Sequence, residues 1–293
     1  MECDVVKLNM GKTRCNKMPE MLVGMIETPS NFVIPAATLN DPVALLEFLN
    51  DAAVAPAAER IYLWPEFKSF ENISQEAVYE DTPLAYLPVR DGNYRFKIGI
   101  RQNMCTHKAM YTHRASSGRV IFIDSENQLI LTEAANGDGM GLSMQLLHTE
   151  KLLFNDGSIS TKSMFVVALQ NNKELDRNGM LTVLDSWNQI TQLVDVKLRL
   201  IGTPTATTIV VDAAPECDSS TPLPGLVVAD FSLIDNATGT AHTITTAVED
   251  PLVPGRYTLT GVAYVASKLK LAAAEDLSLP GYETPEAVAV NPA

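Results

Sequence analysis

Residues 94–170 constrain the fold most, because strand-like segments alternate there with tight turns. Residues 94–100 alternate apolar with polar or small side chains, the period of a half-buried strand. Residues 119–124 and 128–132 continue the pattern around a short polar turn. Two longer strand segments, 142–154 and 159–170, flank Asn155-Asp156-Gly157, and Asp-Gly between apolar runs is a strong hairpin signal. This stretch therefore predicts a small β-barrel or β-sandwich.

One helix interrupts these strands. Asn103 is suited to cap a helix that runs to about His113, and Ser116, Ser117 and Gly118 are suited to end it. We expect this helix to pack against the β-structure. The predicted fold class is mainly β (α+β).

The N-terminal 30 residues show no clear period and predict an extended arm. Their methionines include Met18, Met21 and Met25, whose flexible side chains adapt to irregular apolar surfaces. We therefore expect the arm to contact a neighbouring subunit. After it, Asn40-Asp41-Pro42 opens a helix, and the first β domain is expected to span residues 31–200.

Two prolines, Pro83 and Pro88, exclude a regular central strand from residues 76–92. The segment nevertheless carries several apolar and aromatic side chains. It is equally consistent with a loop on its own barrel and with an element that crosses an interface. On the second interpretation, the contacting residues are Tyr79, Leu84, Tyr86, Leu87 and Val89.

The composition changes near residue 204, where aromatic residues become rare and Thr, Ala, Val and Pro dominate. Short strand signals about ten residues apart, separated by Gly and Pro, predict an immunoglobulin-like (Ig-like) sandwich over residues 203–280. Residues 281–293 predict an extended tail. Residues 180–196 are ambiguous, because their apolar side chains have helical spacing.

The net charge of −13 is spread over both halves. Residues 1–185 hold 17 Lys and Arg against 23 Asp and Glu, and residues 186–293 hold 5 against 12. Duplex binding needs clustered cations, so neither half predicts it. No run of 18 apolar residues predicts a membrane span, and the first residues do not resemble a signal peptide.

The four cysteines, which are Cys3, Cys15, Cys105 and Cys217, are scattered. They predict reduced thiols in a cytoplasm, with a Cys3–Cys15 disulfide as the alternative.

Catalytic motifs are nearly absent. His107 and His113 are six residues apart and do not share a helix face as a metal pair would. Asp124, Glu126 and Glu133 surround a turn, which a charged hairpin explains better than acid–base catalysis. Gly137-Asp138-Gly139 lacks the full spacing of a calcium loop. We therefore predict no enzyme activity, no cofactor and no metal.

Residues 80–169 resemble the core of bacteriophage tail tube proteins. The likeness consists of a hairpin before a strand, a helix with the sequence Asn103-Met104-Cys105-Thr106-His107-Lys108-Ala109, and the strand Gly118-Arg119-Val120-Ile121-Phe122-Ile123-Asp124. The helix and the strand together resemble major tail proteins from phages and prophages of Bacteroidetes. An Ig-like domain is also similar to what many phage tail proteins carry.

The resemblance implies a virion structural protein made in the host cytoplasm. Its subunits would form rings, hexameric in this family, that stack into a tube. Expected partners are copies of itself and other tail or neck proteins, with double-stranded DNA as passing cargo only and no membrane. The alternatives are a capsid decoration or surface adhesin protein acting through the Ig-like domain, and a hydrolase using Asp124, Glu126 or His148.

Overall fold

The computed structural model describes residues 19–82, 85–90, 92–113, 117–157, 160–261, 265–279 and 281–292. For residues 78–82 and 85–90 it describes the backbone only. The fold is mainly β, with 41% strand and 16% helix, which confirms the predicted class. The chain divides into two compact units. Unit 1 holds the described residues up to Ala52 and from Ala58 to Ile190, and unit 2 holds Ala53–Ala57 and the described residues from Thr191 onward.

Unit 1 is built from strands, with helices in three of its connections. The strands are β1 Leu22–Thr28, β2 Tyr62–Leu63, β3 Phe67–Asn72, β4 Val78–Thr82, β5 Ala85–Arg90, β6 Arg95–Ile100, β7 Arg119–Asp124, β8 Gln128–Glu133, β9 Gly139–Met140, β10 Leu142–Thr149, β11 Ser163–Leu169 and β12 Gly179–Val183. The helices are α1 Ala36–Leu39, α2 Pro42–Val54, α3 Met104–Thr112 and α4 Asn172–Asp176, and a 3-10 turn covers Trp187–Gln189.

Strand β7 organises the main sheet of unit 1. It pairs along its length with β1, from Leu22 opposite Asp124 to Thr28 opposite Arg119. On its other side it pairs first with β10 and then with β8. From β10 the sheet continues through β11 and β6 to β3, and from β8 it continues to β12. One of the sheets of the protein curves as a half-barrel. Among the described strands, β3 and β12 therefore each have one unpaired edge.

Both faces of β7 are buried. Val120 and Phe122 belong to the core that β6, β10 and β11 also line. Ile121 and Ile123 point to the opposite face, because side chains alternate along a strand, and they are also fully buried. The opposite face also carries Leu131, which lies near Leu39 at the end of α1.

Two helices begin at the predicted caps. Asp41 precedes α2, and its carboxylate accepts hydrogen bonds from the backbone N–H groups of Val43 and Ala44 at 3.0 and 3.3 Å. Asn103 caps α3, where its side chain accepts from Thr106 N at 2.8 Å. In the part of the chain that the structure covers, no helix combines the length and apolar character needed to cross a membrane.

The structure corrects one prediction for unit 1 and resolves one ambiguous segment. Leu22–Thr28, assigned to the extended arm, forms β1, whose last five residues are buried against the sheet. Residues 1–18 lie outside the described residues. Residues 180–196 were ambiguous, and the structure resolves their start as a strand, because Gly179–Val183 forms β12, which pairs with β8.

Unit 2 consists of two sheets. Its strands are β13 Val194–Leu200, β14 Thr208–Pro215, β15 Phe231–Asp235, β16 Ala241–His242, β17 Ile244–Glu249, β18 Arg256–Gly261, β19 Ser267–Leu271, β20 Tyr282–Glu283 and β21 Val288–Val290. The first sheet has the order β17-β18-β14-β13-β20, and the second has the order β16-β15-β19-β21. Pairing is antiparallel except between β13 and β20.

The two sheets of unit 2 share one core. Val211 and Leu259 from the first sheet and Leu233 and Leu269 from the second lie in one buried cluster. Tyr257 on β18 is fully buried in it. Its hydroxyl donates to Leu223 O at 2.8 Å and accepts from Leu226 N at 3.1 Å. Tyr257 thereby fixes the loop before β15 on the core.

The boundaries of unit 2 differ from those predicted. The main part of unit 2 begins at Thr191, and β13, expected in the first domain, pairs with β14. The predicted tail forms β20 and β21, and Val290 is fully buried. Apolar residues among the Pro and Ala of this segment provide each sheet of the sandwich with an additional edge strand.

The cysteine prediction is also corrected. Cys105 and Cys217 are each disulfide-bonded, and no described cysteine is free. The proposed Cys3–Cys15 pair lies outside the described residues. The wide spacing of the cysteines in the sequence was therefore not a sign of reduced thiols.

We predict that Tyr257→Phe destabilises unit 2 by about 1–3 kcal/mol, because two buried backbone groups lose their partner. Amide hydrogen exchange in β14 and β18 should accelerate. Fluorescence of Trp64 and Trp187, both in unit 1, should report unchanged unfolding of that unit. Tyr282→Phe is the matched control, since its hydroxyl bonds to no described residue. Equal effects of the two substitutions would contradict the assigned role.

Candidate assembly surface

The segment with two prolines forms a two-stranded ribbon. β4 and β5 pair antiparallel, with Val78 opposite Arg90 and Thr82 opposite Ala85. Among the described strands they pair only with each other. Pro88 lies opposite Tyr79, and a proline is tolerated there because β5 has no second neighbour. An isolated two-stranded hairpin is marginally stable in water, so the ribbon is suited to gain stability by packing on another surface.

The base of the ribbon continues the β3–β6 ladder. Ile73 N donates to Arg95 O at 2.9 Å, and Gln75 N donates to Asn93 O at 3.1 Å. Gly92 is required here, because a Cβ at this position would overlap the carbonyl oxygen of Gln75. The ribbon therefore emerges from the main sheet at a fixed position.

A groove of about 400 Å³ lies beside the ribbon base. It is lined by Ser74, Gln75, Ala77, Gly92, Asn93, Tyr94, Asn172, Lys173, Asp176 and Arg177. The Tyr94 hydroxyl donates to Asp176 at 2.5 Å. This hydrogen bond is the main cause that raises the pKa of Tyr94 to about 12. The phenol therefore stays protonated at neutral pH and solvates the Asp176 carboxylate.

Several large apolar side chains of unit 1 are exposed around α3 and β10. On α3, Met104 and Tyr111 are 57% and 49% exposed, and Leu146 on β10 is 42% exposed. Phe154, beyond the end of β10, is 71% exposed. Helix α3 lies against β10, since Thr149 Oγ1 donates to Met110 O at 2.8 Å. The sequence did not identify these residues, because neither composition nor periodicity shows which single apolar side chains of a helix or strand are exposed.

The predicted contact residues divide into three groups. Met18 and Leu84 lie outside the described residues. The strands of the ribbon contain four of them, which are Tyr79, Tyr86, Leu87 and Val89. Met21 is 67% exposed and available for a contact, whereas Met25 is fully buried in the core of unit 1. For Met25 the prediction is wrong, because its strand pairs with β7.

The candidate catalytic carboxylates do not converge on a site. Asp124 is fully buried, and one of its oxygens accepts from Glu126 N and Gln128 N, both at 2.9 Å. Its other oxygen accepts from Glu20 N at 3.1 Å. Asp124 therefore serves as the acceptor for the turn after β7. His148 lies on β10, which pairs with β11 and not with this turn.

The Gly137–Gly139 loop uses its carboxylate in a similar way. Asp138 accepts a hydrogen bond from Ala36 N at 2.9 Å, at the start of α1. Among the described residues, no group of three or more His, Cys, Asp or Glu is placed to hold a metal ion.

The two histidines of α3 have separate partners. His107 Nδ1 lies 2.8 Å from Ser163 Oγ on β11. His113 Nε2 lies 2.9 Å from Glu27 on β1, and the same carboxylate accepts from Trp64 Nε1 at 3.1 Å. The hydrogen bond to Glu27 is the main cause that raises the pKa of His113, and burial opposes it. His113 therefore links the end of α3 to the main sheet.

No protein-family model matches this sequence, and no curated protein is similar to it. The geometry described above is therefore the basis for assigning a function.

We predict that His113→Gln destabilises unit 1 more at about pH 6 than at about pH 9. The pKa of His113 is higher in the folded state than in the unfolded state, where it is about 6.5. The contribution of His113 to the free energy of unfolding is therefore fully present below the unfolded pKa and is lost as pH rises through the folded pKa. The difference should stay below about 1 kcal/mol, because the side chain is 44% exposed. Urea unfolding followed by tryptophan fluorescence measures it.

His148→Gln is the control for the pH experiment, because no described carboxylate pairs with His148. A pH-independent effect of His113→Gln would contradict the proposed link.

Proposed function

We propose that this protein is a virion structural protein, a subunit of a bacteriophage tail tube whose rings stack into a conduit for the genome. The observation that carries the proposal is the β4–β5 ribbon, which leaves the main sheet and pairs with no other described strand. Such a ribbon is suited to pack on a second copy of the chain.

The main sheet of unit 1 supports the proposal. Its unpaired edges at β3 and β12 would let copies extend one sheet from subunit to subunit. Continuation between copies would remove exposed edges, which otherwise promote uncontrolled aggregation. The exposed apolar side chains of α3 and β10 would add buried area to such contacts.

The strand order of unit 2 supports an Ig-like domain. If β13 to β19 are taken as strands A, B, C, C′, D, E and F, and β21 as strand G, the sheets read A-B-E-D and C′-C-F-G. This order is that of immunoglobulin folds. Unit 2 departs from antibody domains because it contains no tryptophan. Its buried tyrosine, Tyr257, lies on strand E.

The charge of the protein is compatible with a conduit. With a net charge of −13, the subunit would repel duplex DNA in general, so DNA could pass without being retained.

We expect the purified protein to form rings or tubes of uniform width in negative-stain electron microscopy. Replacing residues 79–89 with a short Gly-Ser turn should abolish these assemblies and leave the tryptophan fluorescence of unit 1 unchanged. Replacing the exposed turn 236–239 of unit 2 with the same linker is the control. A wild-type protein that stays monomeric at all concentrations would refute the proposal.

A capsid decoration or adhesin protein that acts through unit 2 is the second candidate. Exposed apolar side chains on this unit favour it, with Leu252 88%, Val248 60% and Val227 46% exposed.

A chain truncated after residue 190 distinguishes the two candidates. A tube subunit should still polymerise without unit 2. If wild-type protein instead coats purified capsids or cells, forms no polymers and loses all binding on truncation, the second candidate is correct.

A further inference from the structure

We propose that disulfide bonding of Cys105 and Cys217 is a redox switch that sets the stability of a chain already folded without it. In the reduced state both cysteines are thiols, and each unit keeps its fold. Oxidation then joins each sulfur to another cysteine of the chain, which is the state that the structure shows. This inference goes beyond the proposed function and does not depend on it.

The two hydrophobic cores do not use these cysteines. Neither buried cluster of the described residues contains a cysteine. Cys105 is partly exposed on α3, and Cys217 is exposed in the turn after β14. Burial of apolar side chains is the dominant favourable term in folding. Each unit therefore has its main driving force for folding in the absence of a disulfide bond.

Helix α3, which carries Cys105, is held in place by other contacts. Its buried residue is Met110, whose carbonyl oxygen accepts a hydrogen bond from Thr149 Oγ1 on β10 at 2.8 Å. His107 Nδ1 lies 2.8 Å from Ser163 Oγ on β11. Reduction of the Cys105 disulfide therefore leaves α3 bonded to two strands of the main sheet.

The turn that carries Cys217 is also fixed by hydrogen bonds of its own. The Asp218 carboxylate accepts from Ser220 Oγ and from Thr221 Oγ1, both at 2.6 Å. The backbone N–H of Ser220 donates to the same carboxylate at 3.2 Å. The folded chain thus positions both cysteines before any bond between sulfurs forms.

The spacing of the cysteines makes these bonds strongly stabilising. Every other cysteine of the chain lies at least 90 positions from Cys105 and at least 112 positions from Cys217. Whichever partners they have, the bonds close long loops. A disulfide that closes a long loop restricts the unfolded chain more than one that closes a short loop. Oxidation should therefore raise the melting temperature without a change of fold.

Thiol–disulfide exchange with glutathione disulfide supplies the oxidation. A cysteine thiolate attacks one glutathione sulfur, which forms a mixed disulfide and releases the first glutathione as a thiolate. The thiolate of the partner cysteine attacks the cysteine sulfur of the mixed disulfide, and the second glutathione leaves. Two electrons pass to glutathione disulfide, and the two thiol protons end on the two glutathione molecules. Solvent exposure of the cysteines makes the exchange reversible in the folded protein.

The redox state of the surroundings sets the switch. A cytoplasm in which glutathione and thioredoxin keep thiols reduced maintains the less stable dithiol form, and an oxidising environment outside the cell produces the more stable form.

Mild reduction of the full-length protein tests the inference. Iodoacetamide should modify Cys105 and Cys217 only after treatment with a phosphine reductant without denaturant, as measured by peptide mass spectrometry. Reduction should lower the melting temperature by about 10 °C. Far-UV circular dichroism and tryptophan fluorescence at room temperature should stay unchanged. Glutathione disulfide should then restore the original melting temperature.

A variant with all four cysteines replaced by serine is the matched control. It should fold, melt at the temperature of the reduced wild-type protein and show no response to the reductant. Alkylation with N-ethylmaleimide inside intact bacteria that express the wild-type protein should modify Cys105 and Cys217, because the chain is still a dithiol there.

Four results would overturn the inference. They are loss of either unit's circular dichroism on reduction, equal melting temperatures of the oxidised and reduced forms, modification of both cysteines before reduction, and resistance of both to alkylation in intact cells. None of these measurements reads assembly. A wild-type protein that stays monomeric therefore refutes the proposed function and leaves this inference standing, and the reverse also holds.

Discussion

Unit 1 depends on the burial of β7 from both faces and its pairing along both edges. Val120 and Phe122 contribute to one core, while Ile121 and Ile123 are buried on the other face. Its backbone groups are satisfied only when β1, β8 and β10 are paired with it. The N-terminal strand is therefore as important to the core as the stretch that follows the ribbon. The Asp124 carboxylate then closes the turn to β8 through backbone hydrogen bonds.

Local signals in the sequence predicted those elements whose stability is local. Asn103 and Asp41 cap helices through contacts within three residues, so their positions were predictable. The Asp-Gly turn at 156–157 likewise predicted the β10–β11 hairpin. The pairing of β1 in the sheet was not predicted, because its partner β7 lies about a hundred residues away and nothing near β1 specifies a paired strand instead of an extended arm. Strand β12 was missed because tertiary pairing with β8 overrode a helical spacing.

The candidate assembly surface was predictable in part for the same reason. The prolines at 83 and 88 indicated a segment outside the main sheet, and the structure shows a ribbon that pairs with no other described strand. The groove was not predictable, because it joins residues 74–77 and 92–94 to a helix at 172–176. Met25 was wrongly assigned to a contact, because the composition of a segment does not distinguish a methionine in an exposed arm from one in a core.

The proposed self-assembly would have to overcome the charge of the chain itself. Copies that carry −13 each repel one another at long range, and this repulsion decreases as salt shortens the Debye length to about 8 Å at physiological ionic strength. Apolar contacts around α3 and β10 would not distinguish one orientation of approach from another. Contacts between opposite charges would, because they are favourable in one register and repulsive in most others. An acidic subunit whose few cations lie at its contacts is therefore better suited to ordered polymers than a neutral subunit with the same apolar area.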